Sequence, residues 1–218
     1  MPKLFFQGEE MKIQNEQLFA RNFEQARQYA AQRMERELSP GLLYHGITHT
    51  RDEVTPTAEL LAGIEGLWGE SLYLLLTATW LHDIGFIQQS KNHELISAAI
   101  AAEALPAFGY SGEQIEIIRG AILATIVPQA PITILEKIMA DADLNVLGRK
   151  NFLLRNRDLR SELAYFGQNF SDFEWVSGQL KFIEGHRFHT DAARALLNEQ
   201  KAINIAEMKN VLVAITSF

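Results

Sequence analysis

One run of the sequence, residues 70–82, is apolar around almost its whole circumference when it is drawn as a helix. A helix of this kind is buried on all sides, inside a large protein or in a membrane. Its uninterrupted apolar part, residues 72–81, is far shorter than the roughly 20 residues that cross a bilayer. The run therefore predicts the central helix of a globular protein, ending where Asp83 and Gly85 break the apolar pattern.

Helical spacing of apolar residues continues through most of the chain, and no strand-like alternation persists over a useful length. Ser111 followed by Gln114 has the pattern of a capping box, which marks a helix start, and Pro56 should start, kink or interrupt its helix. The sequence predicts an all-α fold with additional C-terminal helices. The further helices are expected at residues 15–38, 48–62, 92–105, 111–125 and 132–147, then as one long or two shorter helices over 171–198, with a last segment at 203–215.

Length and composition indicate one domain. The 218 residues, 47% hydrophobic and 22% charged, suffice to bury a sizeable core. We expect a single helical domain over residues 12–218, preceded by an N-terminal tail over residues 1–11. In that tail, Phe6-Gln7-Gly8 is similar to a protease-site linker, so whether the tail is wholly native stays open. The tail's apolar patch is too short for a secretory signal, so the cytoplasm is the expected location.

Charge and cysteine usage exclude several kinds of site and partner. Twenty basic and 27 acidic residues give a net charge of −7, and no basic block is interleaved with aromatics. This balance argues against an extended nucleic-acid surface, while a small phosphorylated ligand remains compatible with it. The chain has no cysteine, which excludes disulfides, thiolate zinc sites and a cysteine nucleophile. Any metal must therefore be bound through nitrogen and oxygen.

His82 and Asp83 stand side by side at the end of the predicted central helix. Within a helix two neighbouring side chains diverge by roughly 100°, but at a helix end the loosening backbone lets both turn toward one point. Imidazole and carboxylate are ligands that divalent metals accept. Upstream, His45 and His49 are four residues apart and share one face if their segment is helical.

Downstream, Asp141 and Asp143 lie two residues apart on a predicted helix, so they point to nearly opposite sides and only one can be a direct ligand. Each feature also has an ordinary explanation. Asp83 suits a turn, and Asp143 suits an ion pair with Lys137 or Arg149. The order of all these features along one chain favours a metal site over separate accidents.

In this order, His49, His82-Asp83 and Asp143 resemble the HD superfamily of metal-dependent phosphohydrolases, an all-helical fold. The resemblance covers about residues 40–150, which we expect to form the core of the metal site. Farther on, Trp175 and the segment His186-Arg187-Phe188-His189-Thr190 are similar to the C-terminal part of small bacterial members.

The resemblance implies that His49, His82, Asp83 and Asp143 bind the metal, with Asp141 as the alternative to Asp143. His45 matches the proton donor of cyclic-nucleotide phosphodiesterase relatives, in which Asn commonly stands at the position of Gly46. The implied reaction is hydrolysis of a phosphomonoester or phosphodiester, of a nucleotide, by a metal-activated water. Asp83 would orient or deprotonate that water while His45 protonates the departing oxygen.

The implied cofactor is a divalent metal ion. Ligand type does not distinguish Mn, Fe, Ni, Co, Zn and Mg. One ion is expected, because His93 does not reproduce the extra histidines of two-metal members. Six residues are candidates for contact with the substrate or for support of the ligands: His93, Glu94, Arg51, Lys91, Arg119 and Arg187.

Two other classes of function compete with this interpretation. The first is a non-hydrolytic metal- or nucleotide-binding sensor protein on the same fold, and the second is a structural helical protein whose histidines only cap and pack. His186 and His189 are expected to be surface or packing residues rather than a site of their own. The sequence does not determine the substrate, the ion or the oligomeric state.

Overall fold

Helix follows helix along the chain in a computed structural model that describes the backbone of residues 2–217 and the side chains of residues 14–217. No strand occurs in that part of the chain, so the predicted all-α class is confirmed. Short π or 3₁₀ turns join some of the helices, at His49–Val54, Ile84–Ile87, Leu105–Phe108 and Asn145–Gly148. The α-helices are α1 (Pro2–Glu37), α2 (Thr55–Ile64), α3 (Glu70–Leu81), α4 (His93–Ala104), α5 (Gly112–Leu123), α6 (Ile134–Asp143), α7 (Phe152–Tyr165), α8 (Asp172–Gly185) and α9 (Asp191–Thr216).

Helix α3 is the centre of the structure, as its sequence predicted. Every residue from Leu74 to Leu81 is buried, because α1, α2, α5 and α6 all pack against this helix. Because residues 74–81 have no side that faces solvent, the sequence shows no polar face there. The C-terminal end of α3 therefore delivers His82 and Asp83 into the interior, where both are at most 2% exposed.

Local start signals account for several helix boundaries. The expected capping box of Ser111 and Gln114 opens α5, and boxes of the same kind open α6 at Thr133 and α8 at Ser171. Each box satisfies amide donors that the first helical turn would leave free. Pro56 lies in the first turn of α2, directly after the π-helical segment, so it stands where one kind of helix changes to another, in keeping with the expected start or interruption.

The first helix is longer than predicted. It begins at Pro2 rather than near residue 15, so it includes the segment expected to be a tail. After Pro2 the only weak helix former in that segment is Gly8, and one glycine lowers helix stability without ending a helix.

Helix α7 lies over residues for which no helix was predicted. Its buried side chains include Arg155, Asn156 and Glu162, which are polar and so leave little apolar periodicity in the sequence.

The late part of the chain, predicted as one long or two shorter helices, forms two helices, α8 and α9. The expected last segment at 203–215 is part of α9.

The start of α9 is fastened to the end of α6 by one carboxylate. Asp141 accepts hydrogen bonds from the backbone amides of His189 (2.7 Å) and Thr190 (2.8 Å), and from the Thr190 hydroxyl (2.7 Å). The same hydroxyl accepts from the amide of Ala193 and so caps α9. This contact brings the C-terminal helices beside the end of α6, where Asp143 lies.

Among the described residues, every helix is too short or too polar to cross a bilayer.

Candidate metal centre

His82 is oriented by the last turn of α3. Its Nδ1 donates a hydrogen bond to the carbonyl oxygen of Thr79 at 2.7 Å. In the neutral imidazole, a proton on Nδ1 leaves the lone pair on Nε2. The ring therefore presents a metal-binding nitrogen to the interior.

Asp83 follows where the α-helical backbone ends, with φ −102° and ψ 2°. Its Oδ2 lies 3.2 Å from Nε2 of His82, so the two side chains face one point, as expected at a helix end. The next turn is held in place by the amide of Gly85, which donates to Oγ of Ser97 at 2.8 Å. The exit from α3 is thus anchored to α4.

His49 reaches the same point from the π-helical segment His49–Val54. Its Nε2 lies 3.3 Å from Oδ1 of Asp143, and its Nδ1 hydrogen-bonds to Oε2 of Glu53 at 2.9 Å. Glu53 is in turn 3.0 Å from Nε of Arg155. A carboxylate behind a histidine fixes its tautomer and ring orientation, an arrangement common around metal-binding imidazoles.

The four side chains form one cluster. Nitrogen or oxygen atoms of His49, His82 and Asp83 all lie within 4.8 Å of one another. Oδ1 of Asp143 completes the group, at 3.3 Å from His49 Nε2 and 3.4 Å from His82 Nε2.

A divalent cation suits this donor set. Nε2 of His82 and Oδ2 of Asp83 are buried and lack a hydrogen-bond partner among the described residues. Leaving such atoms unsatisfied is costly, and a shared cation would satisfy both. Two imidazoles and two carboxylates also match the nitrogen and oxygen ligands that first-row divalent metals accept.

The charges of the cluster depend on one another. Burial alone would lower the pKa of His82, but Asp83 and Asp143 outweigh burial and raise it well above its usual value. Burial would likewise raise the pKa of Asp83 and of Asp143, and the adjacent histidines instead lower both. Without a metal, protons on the imidazoles therefore balance the carboxylate charges, as a cation in this cluster would.

Asp141 and Asp143 have different surroundings. The Asp141 carboxylate accepts hydrogen bonds from His189 and Thr190. The Asp143 carboxylate instead faces His49 and His82. The ordinary alternative for Asp143, a pair with Arg149, is not formed, because the Arg149 guanidinium donates to the hydroxyl of Thr57.

His45 lies beside the cluster and is held by Glu162, a residue that no sequence pattern singled out. One carboxylate oxygen of Glu162 contacts Nδ1 of His45, and the other accepts from the amides of Tyr44 (2.7 Å) and His45 (3.0 Å). Glu162 is only 2% exposed; burial would raise its pKa, but His45 lowers it. With Nδ1 engaged, the Nε2 atom of His45 is left for other contacts.

His93 contacts the cluster through Asp83. Its Nε2 lies 3.3 Å from Oδ1 of Asp83, and its Nδ1 is 3.5 Å from Glu94. The ring of Phe86 stacks against His93, with ring centroids 4.0 Å apart, and against His45, with centroids 4.6 Å apart. These aromatic contacts restrict both imidazoles to one orientation.

The four cations predicted near a phosphate are dispersed. Arg51 is exposed and paired with Asp52, and Arg119 is paired with Glu116. Lys91 is exposed in the turn before α4. Arg187 lies on the wall of a cavity next to the end of α6.

Two cavities lie beside the cluster. One, of about 250 Å³, is lined by Tyr44 and His45 and otherwise mostly by apolar side chains of α7, α8 and residues 144–147. The other, of about 560 Å³, lies between residues 127–129 and residues 178–189. Leu144 and Phe182 line both cavities, so the two are adjacent.

A scan against protein-family models and a search of curated proteins find no significant match for the sequence. Two solved structures are similar. A protein described as a predicted HD superfamily hydrolase from an uncultured Thermotogales bacterium is 18% identical, with a TM-score of 0.59 over 88% of this chain and 91% of that chain. Bacillus subtilis YpgQ in complex with ADP is also 18% identical, with a TM-score of 0.64 over 89% and 95%. The chain therefore has the helical fold of the HD superfamily, as its sequence predicted.

Proposed function

We propose that this protein is a metal-dependent hydrolase that cleaves a phosphoester of a nucleotide. The observation that supports this most strongly is the meeting of His49, His82, Asp83 and Asp143 at one buried point. These four side chains come from three separate segments, and packing alone gives no reason for two imidazoles and two carboxylates to be enclosed together. The fold shared with an HD superfamily hydrolase agrees with this function.

His49, His82, Asp83 and Asp143 would hold the ion. A bound divalent cation supplies Lewis acidity, which lowers the pKa of water and neutralises charge on phosphoryl oxygens. Glu53 and the Thr79 carbonyl keep the two imidazoles in the orientation that binding needs.

In this proposal Asp83 and His45 carry out the proton transfers. Asp83 directs Oδ2 toward His82, while Oδ1 lies toward His93 and is the oxygen that orients the attacking water and accepts its proton. His45 protonates the departing oxygen from Nε2, because Nδ1 is engaged by Glu162. His45 lies on the wall of the smaller cavity, where a substrate can approach.

Nucleotide chemistry fits the two adjacent cavities. The smaller one offers apolar side chains together with the NH2 group of the Gln179 amide, a lining suited to a base or sugar. The larger one is basic. YpgQ, which has the same fold, binds ADP, and this supports a nucleotide over a simple phosphoester.

Paired variants test the proposal. His82→Ala and Asp143→Asn should each lose the bound metal, measured by elemental analysis, and lower turnover of a nucleotide panel by at least about 100-fold, since metal assistance provides several kcal/mol. Asp141→Asn, on the same helix, is the matched control and should keep its metal in the folded protein. Circular dichroism would confirm that each variant is folded.

Retained turnover in His82→Ala would contradict the proposal. Binding of metal and nucleotide by the wild-type protein, without any product across the panel, would identify it as a non-hydrolytic sensor on the same fold.

A further inference from the structure

The larger cavity has an unusually basic lining for a chain whose net charge is −7. Two of its lining residues, Lys181 and Arg187, are permanent cations, two more are histidines, His186 and His189, and none is acidic. The remaining lining residues are apolar or neutral: Val127, Pro128, Gln129, Leu144, Gly178, Phe182 and Gly185. A concave surface of this kind concentrates positive potential and favours an anion.

The two permanent cations of this lining have no acidic partner. Within residues 14–217, neither Lys181 nor Arg187 forms an ion pair. Arg187 donates only to the backbone carbonyls of Glu184 and His186, which leaves its positive charge uncompensated. Both side chains are exposed and so remain free to contact a ligand.

Behind the cavity wall, a buried lysine determines the state of His186. Lys201 is only 5% exposed, and its Nζ lies 3.0 Å from Nδ1 of His186 and 2.6 Å from the His186 carbonyl oxygen. An ammonium group only donates hydrogen bonds, so Nδ1 must be the acceptor and the proton of the imidazole must be on Nε2. Burial, and then the charge of Lys201, lower the pKa of His186 to about 3, which agrees with a neutral ring.

The resulting N–H has nothing to bond to. Nε2 of His186 is buried and lacks a partner among the described residues. Unpaired buried donors are rare in folded proteins and often mark a place where a ligand or ordered water binds. The charge of Lys201 adds to the positive potential behind this donor, because Lys201 has no carboxylate partner within residues 14–217 and faces the ring of Phe188.

The cavity adjoins the metal centre through the end of α6. Leu144, which lines it, directly follows Asp143, and Gln129 donates to the carbonyl of Ala140 at 2.9 Å. The wall formed by Leu144 and Phe182 is shared with the cavity that contains His45. The cavity thus lies next to the segment that carries Asp143 and next to the cavity of His45, which is the arrangement that an elongated ligand would require.

We propose that this basic cavity is an anion subsite that binds a second phosphate of the substrate, one that is not held at the metal centre, through Lys181, Arg187 and the Nε2–H of His186. Lys201 is a positioning residue that acts through His186. The proposal rests on the proposed function and narrows it to nucleotides with at least two phosphates. A guanidinium and an ammonium group without acidic partners are the donors that bind phosphate best in proteins.

Binding of inorganic pyrophosphate to the full chain, freed of metal with a chelator, tests the subsite without relying on catalysis. Calorimetry should show that Lys181→Ala with Arg187→Ala weakens binding at least tenfold. Arg36→Ala, an exposed cation of α1 that lines neither cavity, should bind as the wild type does. Equal loss in Arg36→Ala, or no binding by the wild type, would overturn the subsite.

His186 is tested by a conservative pair of variants. His186→Gln keeps an N–H donor near the position of Nε2, whereas His186→Leu removes it. We expect near wild-type pyrophosphate affinity in the first and at least a fivefold loss in the second. Equal affinities in both would remove His186 and Lys201 from the proposal.

A kinetic arm separates this inference from the proposed function. With the metal restored, the Lys181→Ala, Arg187→Ala double variant should raise KM for ADP at least tenfold while leaving kcat and the turnover of p-nitrophenyl phosphate unchanged. An equal loss on both substrates would contradict a second-phosphate role. Absence of all turnover would refute the proposed function, and the pyrophosphate measurement would still decide whether the subsite exists.

Discussion

The carboxylate of Glu162 determines how His45 is presented to the cluster. It contacts the imidazole and two backbone amides at once, so it fixes the side chain and the segment that carries it. The same segment is held from behind by Arg155, which donates to the carbonyl oxygens of Leu43 and Tyr44. Helix α7 thus contributes to the site without supplying one of the four clustered side chains.

Replacing Glu162 with Gln should impair proton delivery more than metal binding. An amide cannot accept from both backbone amides and from Nδ1 as a carboxylate does, so His45 loses its orientation. We expect turnover of a nucleotide substrate to fall about 10- to 100-fold with an unchanged metal content. Turnover of p-nitrophenyl phosphate, whose leaving group needs no proton, should fall much less.

Glu174→Gln is the matched control for that change, because Glu174 is an exposed capping carboxylate at the start of α8. Loss of metal from Glu162→Gln, or equal losses on the two substrates, would show that Glu162 supports the fold rather than the proton donor.

The sequence could indicate His49, His82, Asp83 and Asp143 because their order along the chain follows a recognisable motif. It could not indicate Glu162. That residue lies 117 positions from His45, and its partners are mostly backbone amides, which leave no trace in the sequence. A buried carboxylate in a polar helix has no distinctive local pattern, so only tertiary contacts identify it.

At the level of elements, the junction between α3 and α4 is closely packed beside the site. A Cβ atom placed on Gly85 would lie 2.1 Å from the carbonyl oxygen of His93 and 2.9 Å from Oγ of Ser97. The first of these is a backbone atom, so a side chain at this position requires the start of α4 to move. Asp83 and His93 lie on the two sides of this junction.

Gly85→Ala should therefore destabilise the protein by about 1–3 kcal/mol, the usual cost of overpacking. Metal affinity should fall as well, because displacement of the junction moves Asp83. Urea unfolding and metal titration measure the two effects. Gly112→Ala, where an added Cβ meets no atom within 4 Å, should change the free energy of unfolding by less than about 0.5 kcal/mol. Stability of Gly85→Ala equal to that of the wild type would contradict the close packing described here.

Predictability from sequence differs between elements for a physical reason. Helices α3 and α5 carry their own signals, a continuous apolar run and a capping box. Helix α7 is stabilised through polar contacts with residues 43–45 and 53, far away in the chain. In α7 the apolar spacing that identifies an amphipathic helix is weak, so the sequence did not predict this helix.

At the level of the whole molecule, the helical spacing of apolar residues predicted the all-α fold class. The same spacing could not predict the cavities. The basic cavity is bounded by residues 127–129, residue 144 and residues 178–189, which lie apart in the sequence and meet only after α9 is fastened to α6. His186 and His189 were predicted to be surface or packing residues, and the structure places both on this cavity wall.

Stability of the metal-free protein should decline as pH rises. The pKa of His82 and of His49 is raised in the fold, since burial is outweighed by the nearby carboxylates. Their stabilising effect is complete below the unfolded histidine pKa of about 6.5 and is lost as pH passes upward through the raised values. The pKa of Asp83 and of Asp143 is lowered, so their contribution is present above about pH 4 and is lost in acid.

Thermal unfolding in the presence of a chelator tests this prediction. From pH 6 to pH 9 the melting temperature should fall by about 2–4 °C for each kcal/mol lost. Saturation with Mn should abolish or reverse the fall, because metal binding requires deprotonated imidazoles. His82→Gln, which has no titrating ring, should show a smaller decline. A chelated protein with a constant melting temperature over this range would refute the charge coupling within the cluster.

The π turn at His49–Val54 bears on how much chain this site tolerates. A π turn accommodates one residue more than the α-helix that follows it in α2. Deleting a single residue between His49 and Pro56 would restore regular winding and swing the imidazole by roughly 100°, away from Asp143. The length of this interval sets the direction of the imidazole, so the exposed residues Arg51 and Asp52 should tolerate substitution, whereas a deletion beside them should not be tolerated.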